Sequence, residues 1–483
     1  MSDASGDKNV SSYLVAFWVL MVAAAIFRIW LATKGHSIRH PDEIFQTFEQ
    51  AHRIVFGYGI VPWEFREGIR WIGTPLMLTP PLWLAAALGL GPDFYVPLTR
   101  ALLALVALAP FPLLFEVVRR RSGDLTALLS CLLPMVWVEN LDYAGSTLSE
   151  AIVAPFLACA ILLALLLDKD SRPWHAAVLA VLLAATFCLR FHLAPALALV
   201  TVVAWLRMSR PLRSSFFVSM IVVIVGLEGL DMAFGQIPFQ HVYLNIYRNV
   251  VEDIAQHYGV KDAFYYVQSI WDHWGPGLVF PVVAIGLRWR STWLLAVSAI
   301  LIVLAFSAIG HKEYRFYYPA TLLFTLAGGW ALAELSAAVA AMAKSRSRGI
   351  TIFLAAALVL ITVAPERAGY ASVLSQTEDN RIALQMLAAR QDDVCGLGFD
   401  IGLVNVGTAG LVHFHRKVAY DTMDITPPNE DAISRFNYVI VKGKAGTVQS
   451  PYELMECRGN LCLYRREGGC APSPPTPDGP GPD

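Results

Sequence analysis

The sequence predicts a mainly α-helical, polytopic membrane protein with about eleven transmembrane helices and a small α/β domain towards its C-terminal end. Three observations carry that reading: a composition poor in charge, apolar runs that recur along most of the chain, and the loss of those runs beyond Pro365. Of 483 residues, 56% are hydrophobic and 16% charged, against roughly 25% charged in soluble domains. The apolar runs fall at 13–32, 95–117, 124–138, 147–167, 174–189, 191–206, 214–233, 274–287, 291–309, 317–340 and 349–364, many of them near the ~20 residues that cross a bilayer. A net charge of −1 provides no concentrated basic surface, which sets nucleic acid aside as a partner.

The first run is followed by no small-residue cleavage pattern and includes Arg28 near its end, so it reads as a retained span. Basic residues then alternate between connections: Arg119-Arg120-Arg121, Lys169 with Arg172, Arg207 with Arg210 and Arg213, Arg288 with Arg290, and Lys344 with Arg346 and Arg348. The positive-inside rule puts these five connections in the cytoplasm. The opposite connections hold every unusual polar cluster, including Glu139-Asn140-Leu141-Asp142 and the 235–273 loop.

The first outer connection, 33–94, is expected to contain interfacial helices. Ile44, Phe48, Ala51 and Val55 follow helical spacing, Gln46, Glu49, Gln50 and Arg53 cover other faces, and Pro41 suits a first turn. The stretch 75–91 is apolar but carries Pro75, Pro80 and Pro81, so it reads as re-entrant or peripheral. Residues 1–364 are therefore assigned to a membrane domain, 365–470 to a non-cytoplasmic α/β domain with strands near 394–399, 438–442 and 461–464, and 471–483 to a disordered Pro- and Gly-rich tail. Cys395, Cys457, Cys462 and Cys470 lie in or next to the α/β domain and allow three disulfide pairings.

Two segments carry the chemistry. His311-Lys312-Glu313-Tyr314-Arg315-Phe316 sets four ionisable side chains besides a tyrosine between apolar runs, and His40-Pro41-Asp42-Glu43 follows the first span. Charge held in such places is costly and marks a candidate functional site. The plainer alternatives are a helix-start aspartate at Asp42 and a headgroup anchor at His311, although an acid within a basic run suits anionic lipid poorly.

His40-Pro41-Asp42-Glu43-Ile44-Phe45-Gln46, followed by Gly57-Tyr58-Gly59 and Trp63-Glu64, resembles the first outer loop of the glycosyltransferase family 22 mannosyltransferases. His311 to Pro319 is similar to the same family's His-Lys-Glu-x-Arg-Phe signature, with weaker likeness at Thr147-Leu148-Ser149-Glu150, Leu189-Arg190-Phe191, Asn245 and Tyr258-Gly259. The Pro- and Trp-rich stretch usual after the Tyr-Gly pair is replaced here by Val260 to Tyr266, so the acceptor is open. The resemblance implies a GT-C fold, a polyprenyl-phosphate sugar donor, usually mannose, and inversion at the anomeric carbon.

A phosphate leaving group needs little protonation, so one general base suffices, and Asp42 is the candidate. Glu43, about 100° away on a helix, is assigned to acceptor or structural contacts. The leaving phosphate needs cations: Arg315 as a bidentate fork, Lys312 as a point charge, His311 as a further donor, and Arg190 with His192 as another part of the anion site. Glu313 is expected to orient Lys312 or Arg315. Glu150, set in an apolar run, and the sugar-facing candidates Trp63 and Glu64 complete the substrate-binding set. No metal and no cofactor are expected. The expected partners are a polyprenyl-phosphate sugar, a lipid-linked or glycan acceptor, and membrane lipid; the alternatives are transfer of another sugar or to protein, and a transporter or flippase for lipid-linked sugars. The single Asn-x-Ser tripeptide, Asn9-Val10-Ser11, lies on the cytoplasmic side in this topology and the C-terminus carries no retrieval signal. Both favour a bacterial inner membrane with a periplasmic site over the endoplasmic reticulum.

Overall fold

The computed structural model describes residues 5–35, 37–342, 348–400, 408–423, 430–448 and 450–471. These form two compact units: one from the chain up to Leu31 together with Ala101–Ser375, the other from Ala32–Arg100 together with the chain from Gln376 onward. The expectation for the 471–483 tail falls outside the described residues except at Ala471.

Among the described residues, seven helices are long and apolar enough to cross a membrane: Ser12–Lys34, Pro92–Ser122, Ser149–Leu166, Arg210–Ala233, Trp289–Ser307, Tyr314–Met342 and Arg348–Leu374. Asp124–Val136, Pro173–Leu189 and Phe191–Arg207 coincide with expected spans but are shorter. The expected span at 274–287 is interrupted at its start. Gly275, at φ 58°, ends the helix Tyr265–Trp274, and the run continues as a 3-10 turn, Gly275–Leu278, and the nine-residue helix Val279–Leu287. Nine residues rise only about 14 Å. Thr79–Leu88 is likewise a short apolar helix in the proline-broken stretch.

In the first unit, Ser149–Leu166 is the most deeply packed of the long helices, with 83% of its apolar window buried against 17% for Arg210–Ala233. Tyr318–Met342 approaches neighbouring backbone closely: a Cβ at Gly328 would stand 2.9 Å from Pro281 Cβ, and one at Gly329 would strike the Ser130 carbonyl. Small residues permit such approach where lipid offers no hydrophobic drive between helices. Arg28 is buried and donates to the carbonyls of Asn140 (3.0 Å) and Met135 (3.5 Å), near the break between the helices Leu132–Val136 and Val138–Asp142. It supplies donors where the broken helix ladder leaves carbonyls unbonded.

The second unit holds a five-stranded sheet: β1 (Gly396–Asp400), β2 (Ala419–Met423), β3 (Tyr438–Lys442), β4 (Glu453–Arg458) and β5 (Leu461–Arg465), in spatial order β2-β1-β3-β5-β4. The first three are parallel; β3–β5 and β5–β4 are antiparallel. Period-2 alternation sends Leu397, Phe399, Tyr438, Ile440, Leu461 and Leu463 to one face, against Leu384 and Ala388 of the helix Asn380–Ala389. The other face buries Phe436, Val439, Val441 and Tyr464, and Gly398 is a glycine because a Cβ there would meet the Phe436 ring at 2.6 Å. The cysteines pair as Cys395–Cys470 and Cys457–Cys462.

Residues 32–100, read from sequence as part of the membrane domain, pack into this same unit. Glu43–Phe48 is a π-helix running into the α-helix Glu49–Phe56. The apolar positions Ile44, Phe48 and Ala51 are fully buried as their spacing predicts, but Glu49 and Gln50 are buried too, unlike the polar face expected of an interfacial helix. The Glu49 carboxylate accepts the backbone N–H groups of Ile60 (2.8 Å), Leu411 (3.2 Å) and Val412 (2.8 Å), which binds the helix to the 410–414 turn. Burial pushes its pKa up to about 7, against the opposing effect of those three donors.

Candidate active site

The sequence-predicted residues divide between the two units. The first unit gathers Glu150, Arg190, His192, His311, Lys312, Glu313 and Arg315. Glu150, in the first turn of Ser149–Leu166, lies within an apolar core, where a carboxylate is sustained only by paired charge. Its Oε1 stands 3.1 Å from Arg190 Nη2 and 3.5 Å from Arg315 Nη1, and its Oε2 accepts from Ser149 Oγ at 2.9 Å. Arg190, at the end of the helix Pro173–Leu189, also donates to Ser149 Oγ at 3.0 Å.

Arg315 occupies the 3-10 turn Tyr314–Tyr317 and donates through Nε to Glu313 Oε2 at 2.6 Å; Glu313 Oε1 is 3.0 Å from His311 Nε2. Glu313 thus orients Arg315 and His311, while Lys312 donates to the carbonyls of Lys261 (3.0 Å) and Ile309 (2.5 Å). The hydrogen bond to Glu313 raises the His311 pKa above its ordinary value, ahead of the opposing effect of burial. Phe316 lies beneath both guanidinium groups, 5.2 Å from Arg190 and 5.1 Å from Arg315, and Phe306 lies 5.4 Å from Arg190 and 5.8 Å from the His192 ring.

Arg190 and Arg315 stand against Glu150, Arg315 also against Glu313, and Lys312 adds a third permanent cation in the same segment, held on backbone carbonyls. Counted over these five side chains alone, positive charges exceed negative by one, and by two when His311 is protonated. Held at low exposure, where attraction is less screened, such a surplus suits an anion.

By sequence Glu139 is at least as readily an ordinary loop residue as a member of the site. In the structure it is buried and accepts from Trp137 Nε1 (3.2 Å), Trp274 Nε1 (3.1 Å) and the Tyr314 hydroxyl. Burial pushes its pKa up to about 8, with the two indole N–H groups opposing. It anchors the residue next to Arg315. Phe306 was missed as a contributor, since its partners Arg190 and His192 lie far away in the chain.

The second unit holds His40, Asp42, Glu43, Trp63 and Glu64. Asp42 precedes the π-helix; its backbone N–H donates to His40 Nδ1 at 3.2 Å, and its carboxylate Oδ1 lies 3.4 Å from that nitrogen. Asp42 retains 20% side-chain exposure while Glu43 retains 1%, with Arg39 Nη1 at 3.8 Å. The two adjacent carboxylates therefore occupy different surroundings. Glu64, in the short helix Trp63–Arg66, is buried and accepts from Gln46 Nε2 at 2.7 Å. Burial raises its pKa, Arg70 opposes the shift, and the Asp42 charge adds to it. Trp63 is half-buried beside it.

Residues 18–399 match the Alg9-like mannosyltransferase family, and the chain belongs to that family. Among its relatives, GPI mannosyltransferase 3 of Yarrowia lipolytica is 25% identical over 331 residues, covering 66% of this chain and 63% of the relative. GPI alpha-1,2-mannosyltransferase 3 of Mus musculus is 26% identical over 350 residues, covering 69% and 61%. The match thus spans less than two thirds of either relative's length. The crystal structure of ArnT from Cupriavidus metallidurans bound to undecaprenyl phosphate superposes with a TM-score of 0.59 at 13% identity, covering 95% of this chain and 99% of ArnT. That likeness is one of fold: this chain is an integral multi-pass membrane protein with the GT-C architecture.

Proposed function

We propose that this protein moves a mannosyl group from a polyprenyl-phosphate donor, with inversion, onto a hydroxyl of a lipid-linked or glycan acceptor on the non-cytoplasmic membrane face. The observation that carries this reading is the gathering of cations in one unit: Arg190 and Arg315, buried, close on buried Glu150, Glu313 holds Arg315 and His311, and Lys312 is buried next to them in the chain. In the reaction the acceptor oxygen attacks the anomeric carbon and the bond from that carbon to the phosphate oxygen breaks. The electron pair leaves with the polyprenyl phosphate, and the acceptor proton passes to Asp42. Arg315 and Lys312 meet the charge that grows on the departing phosphate. Family membership supports the sugar, and the undecaprenyl phosphate bound by ArnT supports the class of donor. The two disulfides support an oxidising, non-cytoplasmic setting for the sheet.

The test is transfer of radiolabelled mannose by purified Asp42→Asn beside the wild type, with released polyprenyl phosphate measured in parallel. Loss of a general base lowers the rate by about 10²–10⁴-fold. Activity within a few-fold of wild type would shift the base to Glu64. Donor movement without released polyprenyl phosphate would make the protein a transporter. For sidedness, a membrane-impermeant thiol reagent applied to cells or spheroplasts should label a cysteine introduced at Thr447 and spare one at Arg172; the reverse pattern refutes the assigned face.

A further inference from the structure

We propose that Glu228, Asp231 and His241, with Cys188 beside them, form a binding site for one structural transition-metal cation of the zinc type. Glu228 and Asp231 stand three residues apart on one face of the last turns of the helix Arg210–Ala233, and His241 opens the helix Gln240–Ile246. Each of the three offers a ligand atom, and these atoms all lie within 4.8 Å of one another. All three residues are buried, with exposures of 3%, 0% and 3%. His241 Nδ1 is 3.1 Å from Asp231 Oδ2, close to the roughly 3.4 Å that separates two ligand atoms bound at ~2.0–2.1 Å to one tetrahedral ion.

The donor chemistry selects the metal. Glu228 Oε1 accepts from the Cys188 thiol at 3.5 Å, which brings sulfur next to one nitrogen and two carboxylates. Calcium and magnesium favour all-oxygen shells, whereas an imidazole nitrogen with two carboxylates, and a thiol next to one of them that can supply the fourth ligand, fit zinc. The Phe239 N–H donates to Glu228 Oε2 at 2.6 Å and braces the ligand from outside the shell. The cation would cross-link three elements: the end of Pro173–Leu189, two residues before Arg190; the end of Arg210–Ala233; and the start of the chain that leads on to Gly259 and Lys261. The carbonyls of those last two hold His311 at 3.0 Å and Lys312 at 3.0 Å. The ion would therefore fix the start of the segment whose carbonyls hold His311 and Lys312, with no part in transfer.

The test uses the full chain purified in detergent with a peptide tag free of histidine. Protein stripped with a chelator, reloaded with zinc chloride and passed through a desalting column should retain about one zinc per chain by elemental analysis. Zinc should raise its thermal midpoint by about 3 °C or more, while magnesium chloride gives no comparable rise. Asp231→Asn with His241→Gln should lose both the zinc and the shift, and cobalt loaded in place of zinc should show a thiolate charge-transfer band that Cys188→Ser removes. Wild-type protein that retains no zinc and shows no shift, zinc retained equally by the double variant, or stabilisation by magnesium alone overturns the proposal. The wild-type measurement stands even where the double variant fails to fold.

Discussion

The His40 and His311 segments have similar compositions and opposite designs. In the first, two adjacent carboxylates part company: Asp42 keeps an exposed edge beside His40, while Glu43 is buried near Arg39. In the second, the charged side chains converge: Glu313 bridges His311 and Arg315, and Arg315 with Arg190 closes on Glu150. A proton acceptor must be reached by its substrate, and Asp42 keeps 20% of its side chain exposed. An anion site must be ready before the anion arrives, and carboxylates hold its guanidinium groups in place meanwhile.

Arg315→Lys is the strongest way to break that contrast. Lysine keeps the charge but cannot reach Glu313 and Glu150 from one planar group, so both the internal network and any fork onto phosphate are lost. We expect kcat to fall by about 10²-fold, more than KM for the donor rises, because charge on the phosphate grows as it leaves. Steady-state kinetics against donor concentration decide it. Near-normal values of both constants would make the His311 segment a structural anchor, of the same standing as any buried ion-pair network.

Much of this was legible in the sequence, for physical reasons. Apolar runs of bilayer length, prolines at 75, 80 and 81, and strand signals near 394–399, 438–442 and 461–464 are local, and the structure has strands at Gly396–Asp400, Tyr438–Lys442 and Leu461–Arg465. The edge strand Glu453–Arg458 was not legible because nearly all of its side chains are exposed, so no apolar alternation marks it. Equally hidden was Glu49, whose partners Leu411 and Val412 lie more than 360 residues away. Sequence could not decide Glu139 between loop residue and site member because the Trp274 and Tyr314 donors meet it only in three dimensions. The two motif segments stood out because charge beside apolar runs is rare, but which charges meet was beyond the sequence.

Glu49 sharpens the comparison from the structural side, as a buried carboxylate with no role in transfer. Glu49→Gln keeps the acceptor for Ile60 and Leu411 but turns an N–H₂ towards the Val412 N–H. One buried donor left unpaired costs about 1–3 kcal/mol, so the thermal midpoint should fall while donor KM stays unchanged. The pH dependence has a definite sign. A carboxyl raised to about 7 in the folded state binds more protons folded than unfolded, so its stabilising contribution is full below the unfolded value of 4.5 and is lost as pH rises through about 7. Glutamine does not titrate, so the gap between wild type and variant should widen as pH falls from 8 to 5. A gap that narrows instead would show that the three N–H donors outweigh burial and hold Glu49 ionised.

The smallest expected effect belongs to His311, the one titrating member of the anion site. Its pKa is raised by the hydrogen bond to Glu313, so the protonated form persists above the ordinary 6.5 and is lost as pH rises through the folded value. If the second positive charge it contributes helps hold the donor phosphate, donor kcat/KM should decline by a few-fold across that alkaline limb, with a midpoint above 6.5. His311→Gln retains a donor to Glu313 but no titrating charge, so its profile should lose that limb while staying near the alkaline wild-type level. Glu313→Gln removes the carboxylate that raises the pKa, and the midpoint should move to lower pH. An alkaline limb that survives unchanged in His311→Gln would assign it to another group and leave Arg190, Lys312 and Arg315 as the whole electrostatic content of the site.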